Sequence, residues 1–214
     1  MGVTYSSDGS GAEDAALLKY KERLRLSFDL VQRLVVCFQQ HSFQPVLDEN
    51  SMRALFSTAL RTHVASDPAL STFLDDLLEA VWILFSDTST CFAQEILVCL
   101  VLLTSAPWSK RLSLIFDIFK CLALEEVYHE DLQLTAQVAA SGLLRLWRCP
   151  LWPMEDLRSL TDGIADHAFL KLEKELNEPI AREQFVQWGV DRFRESRTVA
   201  TSAALTKIYS TTYQ

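Results

Sequence analysis

RLSLIFDIFKCLALEEVYHEDLQL, Arg111 to Leu134, decides the fold, because HAFLKLEKELNEPIAREQF, His167 to Phe185, repeats its layout 53 residues later. Phe116 and Phe119 are answered by Phe169 and Leu172, Val127 by Ile180, and Leu132 by Phe185. Each copy ends a helix on two large apolar residues, leaves twelve residues with a β-branched aliphatic at the eighth, and then opens a new apolar run. Apolar spacing of three and four marks helix on either side. The layout is a helix, a loop and a helix, written twice.

A loop of this length holds calcium when oxygen ligands stand at positions one, three, five and twelve, a carbonyl at seven and glycine at six. The first copy places Lys120, Leu122, Leu124 and Asp131 there, with Glu125 where glycine belongs. An ammonium and two leucines cannot replace a hydration shell, so this loop holds no hard cation. The second places Glu173, Glu175, Asn177 and Gln184, with Glu178 at six and Pro179 at seven. Those four are the weak metal candidates, since the twelfth ligand is an amide and the turn lacks glycine. The expected cofactor is none, calcium included.

Outward from these loops, the chain has 214 residues, 49% hydrophobic and 22% charged, enough apolar material for one domain or two closely packed lobes. Only 6 Gly and 6 Pro, with long stretches free of both, favour helix. A net charge of -8 lacks the basic stripe that phosphate binding needs, which argues against nucleic acid. The five cysteines form no C-x-x-C pair and sit mostly in apolar runs, the pattern of reduced thiols in a cytoplasmic protein. No secretory leader opens the chain. The most apolar window, Phe92 to Ala106, includes Gln94 and Glu95 and is too short to span a bilayer, so it reads as a core helix.

Helix is expected from Glu13 to about Gln40, then from Ser51 to His63 behind a cap within Val46 to Asn50, and from Pro68 through Phe85. The stretch between Phe38 and Met52 reads as an eroded loop carrying Val46 and Leu47. Trp82 and Phe85 end a third helix in the same manner, but only Ser86 to Glu95 then precede Ile96, two residues short of the full loop. Thr104 to Pro107 breaks the chain before the opening stretch. A helix from Val127 to Trp147 follows, with Gly142 as a point to end or bend it; later helices run from Asp156 to Leu172 and from Ala181 to about Ile208. Leu146 to Pro153 packs two tryptophans and two prolines into eight residues, read as a plug between lobes ahead of a partner anchor.

With four such units counted, the chain resembles a degenerate member of the four-EF-hand superfamily, in the branch of neuronal calcium sensors, calcineurin B-like subunits and the ciliary protein calaxin. The resemblance rests on Val46-Leu47-Asp48 with Met52 to Phe56, on Trp82 to Phe85, on Arg111 to Phe119, and on Ala168 to Leu172 through Gln184-Phe185. It implies an all-α fold of four degenerate EF-hand units in two lobes, 13–106 and 107–195, with very short strands pairing the loops. A disordered leader, 1–12, and a polar tail, 196–214, flank them.

Loops that keep Val127 and Ile180 but lose their ligands retain pairing rather than ion sensing. The resemblance then implies a non-catalytic, calcium-independent structural adaptor that packs against a helix or coiled coil of a cytoskeletal assembly, in the setting of a ciliary or flagellar axoneme. In this family an open lobe holds a partner helix in an apolar groove, for which Trp82, Phe85, Trp108, Phe116, Phe119, Trp147 and Trp152 are the partner-binding candidates. The alternative is a membrane-associated calcium sensor or regulatory subunit, resting on the fourth loop and on Gly2, the lipidation candidate of Met1-Gly2-Val3-Thr4-Tyr5-Ser6. One acyl chain without a polybasic run holds a membrane only marginally, so the tether is not favoured. An enzyme is the third reading and ranks last: the four histidines lie far apart, and no G-x-S-x-G or phosphate loop occurs. Folding could still bring a Cys–His pair together for nucleophilic chemistry, for example Cys121 with His129, but nothing in the spacing favours it over chance.

Overall fold

The computed structural model describes residues 27–40, 44–64, 68–86, 89–119, 126–146, 153–192 and 194–195. Most of these are helical, and two short antiparallel strand pairs accompany the helices. In chain order they run α1 (Phe28–Gln40), β1 (Val46–Leu47), α2 (Glu49–Val64), α3 (Pro68–Phe85), β2 (Cys91–Phe92) and α4 (Ala93–Leu103). The second half repeats the order: α5 (Trp108–Phe119), β3 (Glu126–Val127), α6 (His129–Leu146), α7 (Met154–Lys171), β4 (Ile180–Ala181) and α8 (182–192). Each helix pair therefore encloses one strand.

The strands join the units two by two. Val46 lies opposite Phe92 and Leu47 opposite Cys91, while Glu126 lies opposite Ala181 and Val127 opposite Ile180. Alternation along each strand buries Leu47, Cys91, Val127 and Ile180 and turns Val46 and Phe92 outward. The expected pairing of Val127 with Ile180 is thus a direct cross-strand contact.

At the centre lies α4. Ala93, Glu95 through Val101 and Leu103 are all buried, and a helix apolar all round belongs inside. It touches α1, α3, α5 and α6, so the two halves share one continuous core that also holds Phe56, Phe116, Phe169 and Phe185. The core-helix expectation for Phe92 to Ala106 agrees with this.

Two expectations about the helices differ from what is observed. Helix α4 starts at Ala93 rather than Ile96, because Phe92 leaves the strand extended (φ -91°, ψ 120°) and the chain turns directly into helix. Glu95 consequently sits in the first helical turn, not in a loop. Helix α6 runs through Gly142 without a break: a Cβ there would fall 2.2 Å from Cys99 Sγ, so the glycine lets α6 lie against α4. The first described helix begins at Phe28, and the expected helix over 13–26, the leader with Gly2 and the tail 196–214 lie outside the described residues. So do Lys120, Cys121, Leu122 and Leu124 of the third loop.

Candidate functional site

The paired loops are the natural place to look for chemistry, and the residues at their twelfth positions are engaged with backbone. Helix α6 opens with the Asp131 carboxylate accepting the Tyr128 N–H at 3.0 Å, and α8 opens with Gln184 Oε1 accepting the Ala181 N–H at 3.1 Å. Both are the third helical residue reaching back to the residue before the helix, one half of a capping box. In each loop the twelfth place is therefore turned toward a helix end.

The fourth loop is built the same way throughout. Glu173 sits in the left-handed region (φ 53°). The N–H of Glu173 donates to Leu170 O at 3.2 Å and that of Lys174 to Phe169 O at 2.9 Å, which closes the end of α7 as a glycine-type helix stop does. Glu178 Oε2 accepts the Glu175 N–H at 2.9 Å. The metal candidates Glu173, Glu175 and Asn177 are exposed and Gln184 is half-buried. Among the described residues no group of three or more His, Cys, Asp or Glu side chains is placed to hold an ion.

The first loop uses Asp48 as its helix cap, its Oδ1 accepting the Ser51 N–H at 2.7 Å. That hydrogen bond and the one from the Ser51 side chain hold the Asp48 carboxyl below the usual carboxylate range.

The partner-binding candidates divide. Phe85, Phe116 and Phe119 are 2%, 1% and 8% exposed and fill the internal core, a correction to their assignment to an open groove. Their size explains it: large aromatic rings at helix ends contribute most when buried on the facing helices. Trp82 is half-buried at the edge of that core, and Trp108 is half-buried beneath the Arg111 guanidinium, 4.7 Å from its ring centroid. Trp147 and Trp152, with the plug reading placed on them, lie outside the described residues.

Polar links that the sequence reading missed hold the elements in place. Glu95, 3% exposed on α4, accepts from Arg145 Nε and Ser141 Oγ of α6, each at 2.9 Å. A glutamate inside an otherwise apolar run was the available signal. Arg182, at the start of α8, grips Asp117 of α5 with two nitrogens at 2.5 and 3.0 Å and lies 5.0 Å over the Phe116 ring. His129 reaches Asp166 of α7 at 2.8 Å and meets Phe169 edge-on, so it is packed between helices.

The described thiols, Cys37, Cys91 and Cys99, are buried and unbridged. Burial pushes Cys91 up to about 11, with Glu95 and Asp48 adding to the effect, and raises Cys99 further and Cys37 as well. Protonated thiols are poor nucleophiles. Among the described residues no helix is long and apolar enough to cross a membrane.

Together these features define a mostly helical protein of four helix–strand–helix units, paired two by two around one shared core. In sequence comparisons the chain matches no protein-family model and no curated protein.

Proposed function

We propose that the chain is a non-catalytic, calcium-independent adaptor of degenerate EF-hand type, a fixed scaffold that presents its helices to a helical protein partner. The observation that carries this reading is the use of the loops' twelfth residues, Asp131 and Gln184, as helix caps while Val127 and Ile180 keep the loops paired. A loop whose ligand position is engaged with backbone, and whose partner loop has leucines at two ligand positions, has no ion to respond to. The buried Glu95–Arg145–Ser141 contact and the Arg182–Asp117 pair add to it, since both tie helices together without metal. The cytoskeletal and axonemal setting of the partner rests on the sequence resemblance alone.

Calorimetric titration of calcium into chelator-stripped protein, with far-ultraviolet circular dichroism followed in parallel, tests the reading. A fixed scaffold gives no binding heat and no change in helix content up to millimolar calcium. A saturable micromolar site lost in Glu175→Ala would overturn it and put the sensor reading in its place.

A further inference from the structure

Two side-chain nitrogens are buried without a hydrogen-bond partner among the described residues, His167 Nδ1 on α7 and Trp188 Nε1 on α8. Both residues line the same cleft, about 170 Å³ in volume, together with Lys171, Gln187, Asp191 and Arg192. The indole N–H is a donor only, and a buried polar group left unmatched loses its hydration without compensation. Rotating the helix to relieve it is blocked. Gly189 brings α8 so near α5 that a Cβ there would stand 2.8 Å from Leu112 Cδ1, and the Trp188 ring packs 6.3 Å from that of Phe185.

Size and charge narrow what would satisfy these nitrogens. At roughly 30 Å³ per water molecule the cleft has room for a side-chain-sized group, and it falls short of the roughly 300 Å³ where cofactor-sized sites begin. Around it Arg192 pairs with Glu195 at 3.6 Å and Arg194 with Asp191 at 3.7 Å. Among the residues that line the cleft, Lys171 and Arg192 stand against Asp191 and Glu195, a local balance of zero in a chain of net charge -8. An anion meets less repulsion here than over most of the surface.

We propose that this cleft binds a single carboxylate, whose oxygens accept from Trp188 Nε1–H and His167 Nδ1–H with Lys171 at the rim. Lys171, Gln187 and Arg192 are exposed and long, and their rotamers exchange fast enough to admit it. The carboxylate is supplied by an acidic side chain of a protein partner or by a small free acid. The site does not depend on the calcium-independent reading of the loops.

The test is nuclear magnetic resonance of the ¹⁵N-labelled full chain, with the Trp188 indole N–H assigned through Trp188→Phe. Sodium acetate is titrated against acetamide and against sodium chloride at matched ionic strength and pH. A saturable downfield shift with acetate alone supports the site, and Lys171→Gln, an exposed change outside the core, weakens acetate about two- to fivefold, as a screened charge does. N-acetylglutamate N-methylamide separates the sources: binding tenfold or more tighter than acetate points to a partner's side chain, and equal binding to a free acid. No saturable shift, or the same shift with acetamide or chloride, overturns the proposal and leaves ordinary hydration of the two rings.

Discussion

Glu173 shows how a single backbone angle redirects a residue's role. At φ 53° its Cβ crowds the following carbonyl, a conformation that costs an L-residue roughly 1–2 kcal/mol. The helix stop made by Leu170, Phe169 and Lys174 requires it all the same. Replacing Glu173 with glycine removes the crowding and should raise the unfolding free energy by about 1 kcal/mol in urea titrations, whereas Glu173→Ala, which keeps the Cβ, should change little. A glycine variant that loses stability would mean that the carboxylate holds something the backbone does not explain. Counting from Phe169 and Leu172 put Glu173 first in the loop, and it does follow directly on the end of α7. Its backbone angle was not legible, because that depends on where α7 stops, and packing of Ala168 and Phe169 into the core sets that point.

Among elements, what the sequence revealed was local in pattern and what it hid was set by a distant neighbour. The Val127–Ile180 pairing was legible because the two copies keep one spacing, so the eighth residues meet in register. The α4 core helix was legible from its apolar run. The start of α4 was not, since the strand that fixes it pairs with Val46 and Leu47, far back in the chain. The groove expectation for Phe85, Phe116 and Phe119 failed for a related reason: periodicity marks an apolar face but not whether another helix already covers it. Gly142 read as a breaker because its reason lies across the interface on Cys99. In an isolated helix Gly142→Ala would gain roughly 0.5–1 kcal/mol. Here the new methyl group would meet Cys99 Sγ at 2.2 Å, and overpacking of that kind costs about 1–3 kcal/mol, so the variant should be less stable. Adding Cys99→Ala should recover part of the loss, and the double variant should be more stable than the sum of the single changes, measured by thermal and urea unfolding. A stabilising Gly142→Ala would show that α4 and α6 stand farther apart.

For the molecule as a whole, one core around α4 means that a charge forming there is felt by both halves. Cys91 is the sharpest case, because its thiol ordinarily loses its proton near 9.0 and in the fold only at about 11, through burial first and then the nearby Glu95 and Asp48 carboxylates. Between these values the unfolded chain binds fewer protons than the folded one, so stability falls as pH rises. The contribution is present in full below pH 9.0 and is lost on rising through about 11. Cys99, raised in the same direction in the middle of α4, steepens the loss. The urea midpoint should therefore drop across that alkaline range, with circular dichroism and tryptophan fluorescence moving together because the halves share their core. Lysine and tyrosine titrate there too, but equally in a Cys91→Val variant, whose midpoint should fall less steeply than that of the parent. An unchanged slope in the variant would place Cys91 in contact with solvent and loosen the β1–β2 ribbon that ties the first two units together.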